Sequence, residues 1–264
     1  MSESNKRNFI VHGSILAIAG ILVRIIGMLY RIPVVNIIGS EGNGIYGAAF
    51  NIYNIMLVLS SYGLPMAVSK LVSARFTKKR YKSAAKVLRC SLMVAVCTGG
   101  IAALLVFFGA SFIENVIYGG GLPGLAIPLR ILAPTIFLVA ILGVIRGFFQ
   151  GQSTMIPTAV SQILEQIVNA IVSIAAGYGM MKAFASSPDV AAYGAAGSTL
   201  GTAMGALTAV LFMGFLYAVY TPTFNRLKRK DRHTENQSTG QICKIIIYTC
   251  LLYTSPSPRD GLLS

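Results

Sequence analysis

Residues 23–73 read VRIIGMLYRIPVVNIIGSEGNGIYGAAFNIYNIMLVLSSYGLPMAVSKLVS, and this stretch decides the fold. It contains two long apolar runs joined by a short Gly-rich turn, GSEGNG at 39–44. Each run is long enough to cross a bilayer as a helix, which takes about 20 residues. The first run carries Arg24 and Arg31, seven residues apart. Seven residues is close to two helical turns, so both side chains leave nearly the same face, about 10 Å apart along the axis. An arginine at mid-bilayer is unfavourable by roughly 2.5–3.5 kcal/mol even on the lenient insertion scale, so it is expected to face a cavity or a partner. Two readings stand side by side. The planar, always charged guanidinium fork suits a diphosphate. Alternatively, Arg31 snorkels to headgroups and Arg24 makes an interhelical salt bridge.

Working outward, composition fixes the class. The chain is 55% hydrophobic and 11% charged, with a mean hydropathy of +0.69, whereas about a quarter of the residues of a soluble domain are charged. The expectation is an all-α, polytopic membrane helix bundle, with spans at 9–34, 45–68, 84–112, 125–149, 156–180 and 191–220. The apolar run after the basic N-terminus is too long for a cleaved signal, so it reads as a retained first helix. A net charge of +14 would suggest nucleic acid in a soluble chain. Here the basic residues sit in clusters between spans: Lys6 and Arg7; Arg75, Lys78, Lys79, Arg80 and Lys82; Arg226, Lys228, Arg229, Lys230 and Arg232. The intervening connections are nearly free of them, so the positive-inside rule places the N-terminus in the cytoplasm of a multi-pass protein, and orientation explains the charge better than nucleic acid, which is not expected as a partner. The organisation is then a cytoplasmic N-terminus (1–8), a six-helix transmembrane lobe (9–220), a basic cytoplasmic loop (221–241) and an incomplete seventh helix (242–253). Residues 254–264, TSPSPRDGLLS, read as a non-native tail on a truncated gene product.

Polar residues inside the spans carry the functional reading. Asn51, Asn54 and Ser61 recur at helical spacing in the second span, among Tyr46, Tyr53 and Tyr62. Such a stripe either hydrogen-bonds a neighbouring helix or lines water, where sugar hydroxyls would suit it. The fifth span has Gln162, Glu165, Gln166, Asn169 and Ser173 on one face. Glu165 lies about nine residues, roughly 13 Å, into its span. It is a candidate ion or proton site, or the salt-bridge partner of an arginine such as Arg24. Arg130 and Arg146 lie near opposite ends of the fourth span and are expected to snorkel. Gly197, Gly201 and Gly205 in the sixth span predict close helix packing. Cys90 and Cys97 read as small packing residues, and His12 and His233 have no companion ligands, so neither a metal nor a cofactor is expected. GSEGNG lacks the Lys-Ser or Lys-Thr of a phosphate loop, and there is no nucleophile elbow and no acid–base pair. A transporter is expected rather than an enzyme.

LVRIIGMLYRI, IIGSEGNGIYGAAFNIYNIMLVLSSYGLPMAVSKLVS and IRGFFQGQSTMIPTAVSQILEQIVN, in that order, resemble the N-terminal half of the stage V sporulation protein B group. This group belongs to the polysaccharide-biosynthesis and lipid-flippase branch of the multidrug/oligosaccharidyl-lipid/polysaccharide exporter superfamily, and the resemblance runs over residues 9–248. It implies about fourteen helices in two six-helix lobes plus extra helices, enclosing a cationic cavity that alternates access across the membrane. It also implies a lipid-linked saccharide as cargo, including the peptidoglycan precursor lipid II, with membrane lipids and cell-wall synthesis proteins as partners. The first-helix arginines of lipid II flippases match Arg24 and, with one residue of added spacing, Arg31. A second-helix arginine of the Gram-negative flippase has no counterpart, because Leu57 and Val58 occupy that region. The alternatives are a cation-coupled multidrug exporter of the same superfamily, which should favour acidic residues around its drug, and a membrane scaffold for cell-wall or sporulation enzymes acting through the basic loop.

Overall fold

The computed structural model describes residues 3–232 and 238–254, and of these the side chains from residue 16 to 232 and 238 to 250, with Ser14. The expectations for residues 255–264 and for the side chains of Lys6, Arg7, His12 and His233 lie outside that part. The elements are α1 (Glu3–Ser60), α2 (Leu64–Thr77), α3 (Tyr81–Phe112), a π-helical turn (Ile113–Ile117), α4 (Ala126–Gly151), α5 (Ile156–Ala183), α6 (Val190–Lys230) and α7 (Thr239–Thr254). No strand occurs among the described residues. The fold is all-α and multi-pass. Five stretches are long and apolar enough to span a bilayer, and the first, Leu16–Thr77, folds on itself to supply two crossings.

That first stretch departs from the expected Gly-rich turn. Its break is confined to Gly39, at φ 69° and ψ −175°, a region open to glycine and little else. Residues 40–44 are already helical. Gly42 serves packing rather than a loop, since a methyl group there would lie 2.9 Å from Ile38 Cβ and 3.2 Å from the Ala191 carbonyl. The two limbs of α1, 3–38 and 40–60, therefore form a hairpin about one residue. The second crossing is itself broken at 61–63. Pro65 opens α2 and has no N–H to continue the ladder, so Leu64 N donates to the Ser61 carbonyl at 3.1 Å. Thr98 Oγ1 of α3 donates to the freed Ser60 carbonyl at 3.0 Å.

Small-residue seams hold the bundle, because lipid offers no hydrophobic drive between helices. The Gly197, Gly201 and Gly205 face of α6 lies against α5 as its spacing predicts: a methyl group on Gly201 would sit 2.6 Å from Ser173 N, and one on Gly205 2.6 Å from the Glu165 carbonyl. A second seam, Gly143, Gly147 and Gly151 of α4, receives α2. There a methyl group on Gly147 would sit 2.6 Å from the Pro65 carbonyl. Gly201→Ala is expected to destabilise by about 1–3 kcal/mol through overpacking. Gly214→Ala, with nothing within 4 Å, should be neutral or stabilising by up to about 1 kcal/mol. Thermal midpoints in detergent separate the two, and equal shifts would refute the seam.

The two ends are closed differently. At the end holding Gly39, Glu114 accepts from Gly124 N (3.0 Å) and Ala126 N (2.7 Å), capping α4 with a carboxylate. Removing both charge-assisted bonds with Glu114→Ala should lower stability by about 1–2 kcal/mol, read as a thermal midpoint that Glu114→Asp partly restores. At the opposite, basic end, buried Asp231 accepts from Lys82 N at 2.8 Å and ties the start of α3 to the end of α6. Residues 221–230 are a helical continuation of α6, so Arg226, Lys228 and Arg229 project from a helix. Phe148, Phe224 and Tyr217 pack edge to face beneath them, with Ile242 and Ile246 of α7 completing that core. Cys90 is buried as expected, but Cys97 is exposed.

Candidate functional site

Arg24 and Arg31 both project from the exposed side of α1. Arg24 has no hydrogen-bond or ion-pair partner among the described residues. Arg31 lies with Cζ 6.0 Å from the centroid of the Tyr46 ring and borders a shallow groove of about 410 Å³ with Met28, Ile32, Val35 and Asn36. The salt bridge considered between Arg24 and Glu165 is not formed. Glu165 pairs instead with Arg146, Nη2 to Oε2 at 2.7 Å, and Arg146 Nε donates to Ser161 Oγ at 2.9 Å. The two side chains are only 14% and 26% exposed.

Arg146 therefore does not snorkel, and the reason is topological. The α4–α5 turn is short, Arg146 comes five residues before Gly151, and Ser161 comes five residues after Ile156. The antiparallel pair brings them level, and the arginine reaches inward to a hydroxyl and a carboxylate rather than outward. That symmetry about the turn was readable in the sequence and points to the pairing. Arg130, by contrast, is exposed and donates to Ser111 Oγ at 2.9 Å.

The polar stripe of α5 divides into two parts. Its far half is interhelical glue: Asn169 Nδ2 donates to Tyr30 Oη (3.3 Å), and Ser173 Oγ lies 2.9 Å from Asn169 Oδ1 and 2.7 Å from the Ser198 carbonyl. Its near half, Gln162 and Glu165, borders the Arg146 region. Asn51 and Asn54 are exposed on the second limb of α1, whereas Ser61 is buried and lies 3.0 Å from Ser60 Oγ.

Helix register fixes the relative depth of these groups. A methyl group on Gly27 would touch Gln166 Nε2 at 3.2 Å, and Tyr30 bonds Asn169, so α1 and α5 run alongside each other at one offset. That offset sets Arg24 level with Ile163. The contact of Arg31 with Tyr46 across the Gly39 hairpin likewise sets Arg24 level with Tyr53, next to Asn54. A fixed cation on an exposed face thus shares its depth with amides on two neighbouring helices, an arrangement suited to an anion carrying hydroxyl groups. No group of three or more His, Cys, Asp or Glu able to hold a metal occurs among the described residues.

Residues 10–252 match the family described as polysaccharide biosynthesis protein. The chain is similar to the lipid II flippase MurJ of Bacillus subtilis (strain 168), 34% identical over 176 residues, which cover 64% of this chain and 32% of that protein. It is similar to stage V sporulation protein B of the same organism, 30% identical over 210 residues, covering 79% of this chain and 39% of that protein. Among solved structures, a MATE crystallised in complex with MaD3S superposes with a TM-score of 0.70 at 16% identity, covering 90% of this chain and 52% of that one. The chain thus spans under half the length of these two relatives, and the structural likeness concerns the fold.

Proposed function

Because the chain belongs to the polysaccharide biosynthesis protein family, we propose that it supplies one lobe of a transporter that moves lipid-linked saccharides across the cell membrane. The basic end then lies in the cytoplasm with the N-terminus. One observation carries this reading: Arg24 stands on an exposed face of an apolar spanning helix without a counter-charge among the described residues. A cation in that setting is unfavourable unless an anion meets it. The diphosphate of a polyprenyl carrier is such an anion, and Arg31 extends the cationic stripe along its path. Asn51 and Asn54 offer amide donors and acceptors to the saccharide, while the lipid tail stays in the bilayer. Rocking of this lobe against an opposing one would alternate access, so the lobe by itself is expected to bind and not to transport. The names of the relatives, a lipid II flippase and a sporulation protein, support a saccharide lipid as the cargo.

A cation-coupled drug exporter is the weaker reading. Glu165, the carboxylate deepest in the spans, is neutralised by Arg146. A cell-wall scaffold working through residues 226–232 would tolerate neutral changes at Arg24 and fail on changes in the basic stretch. The deciding experiment is titration of the chain in nanodiscs with a short-chain polyprenyl diphosphate disaccharide. Binding that falls with Arg24→Ala is the expected result; no binding, or binding indifferent to Arg24, would overturn the proposal.

A further inference from the structure

Between the broken second crossing, α4 and α5 lies a half-open cavity of about 340 Å³ that none of the readings above assigns to a ligand. This volume lies at the lower end of the range for small-molecule pockets, about 300–1,000 Å³. We propose that it is a subsite for a neutral, hydroxyl-rich group, a sugar ring of the lipid-linked saccharide, with Thr158 and Gln162 as its specificity-determining residues. This rests on the flippase reading and names where that cargo's headgroup docks.

Thr158 supplies the first argument. It lies at the cavity wall, its side chain is 0% exposed, and its Oγ1 has no hydrogen-bond partner among the described residues. A buried hydroxyl left unpaired is destabilising by about 1–3 kcal/mol, a deficit that a ligand hydroxyl removes. Charge supplies the second. Arg146 lines the cavity, but its charge is already balanced by Glu165, and only Nε and Nη2 are engaged, which leaves the Nη1 donors outside the pair. The cavity has no net charge to attract a phosphate, yet it holds donors.

The remaining lining fits the same chemistry. The amides of Gln150 and Gln162 each donate and accept, as a sugar hydroxyl does. Leu57, Pro65 and the Tyr62 ring offer apolar surface to the C–H face of a pyranose. Ser61 and Tyr62 of the interruption at 61–63 line the cavity, and broken helices are where membrane transporters build binding sites. Its depth agrees with the cationic stripe: Gln162 is one residue from Ile163, the level of Arg24, and Leu57 lies one turn below Asn54 on the same face. A diphosphate held at Arg24 would therefore carry its sugar to the level of this cavity.

Calorimetric titration of the chain in nanodiscs with two probes, farnesyl diphosphate and a farnesyl-diphosphate-linked disaccharide, tests this. Thr158→Val and Gln162→Leu are each expected to weaken the disaccharide probe about 5- to 10-fold, toward the affinity of farnesyl diphosphate, and Thr158→Ser to retain it. Arg24→Ala should weaken both probes. Thermal midpoints confirm folding, and Thr158→Val should hold or raise its midpoint because it removes an unpaired hydroxyl. If both variants bind the disaccharide probe like wild type, the subsite is wrong while the flippase reading stands. If wild type binds neither probe, both fall.

Discussion

Arg24→Ala should weaken binding of a polyprenyl diphosphate saccharide by about 30-fold or more while leaving the lobe as stable as wild type or more so. The two effects have opposite signs for one reason. Without ligand the guanidinium has no partner among the described residues and stands on an exposed face of a spanning helix, so its removal relieves an unfavourable placement. With ligand it makes a charge-assisted contact in a water-poor setting, and truncating one side of such a pair typically loses about 2–5 kcal/mol, which sets the fold-change. Arg24→Lys should fall between, because the ammonium keeps the charge and loses the planar fork. Arg31→Ala should be milder, since Arg31 already rests near the Tyr46 ring. Titration in nanodiscs read against thermal midpoints checks the pair of signs. Loss of both stability and binding would make Arg24 a structural residue and remove the main support for the proposed function.

The legible and illegible parts of this lobe divide along a physical line. Features set by local periodicity could be read directly: the spanning runs, the Gly197–Gly201–Gly205 face and the polar face of α5 all follow from 3.6 residues per turn. Features set by which helix faces which are legible only where a short turn fixes the register of two neighbours. Arg24 and Arg146 are both arginines in apolar helices, and nothing in either neighbourhood says that Glu165 belongs to the second. Only the short α4–α5 turn decides it, by bringing Arg146 level with Ser161. Glu114 lies outside the apolar runs with no local pattern around it, yet its carboxylate caps α4 from ten and twelve residues away. The 39–44 run misled because glycine has two uses: Gly39 supplies a left-handed backbone, while Gly42 supplies clearance for Ala191. The candidate site divides in the same way. Arg24, Arg31, Asn51 and Asn54 were conspicuous as polar residues in apolar runs, whereas the Thr158 cavity depends on three elements meeting where the second crossing breaks.

Glu165→Ala should be the most damaging single substitution in the interior of the lobe. It strands Arg146, whose side chain is 14% exposed and whose remaining bond is to the Ser161 hydroxyl. Breaking a buried pair from one side is destabilising by about 3–5 kcal/mol, and the partial exposure of Glu165 at 26% places this pair near the low end, about 3 kcal/mol. Arg146→Leu should have a similar effect by stranding the carboxylate. The decisive variant is the double replacement Arg146→Leu with Glu165→Leu. Removing both charges leaves no stranded ion, and apolar side chains of that size suit walls already formed by Leu57 and Val139, so the double variant should be more stable than either single one. A thermodynamic cycle over the four proteins measures the coupling. Additive losses would mean that the two groups do not depend on each other. Recovery of stability without recovery of disaccharide binding would place the ion pair in the lobe for what it presents to the cavity, since the hydrophobic pair would fill the same space and offer no hydrogen bonds.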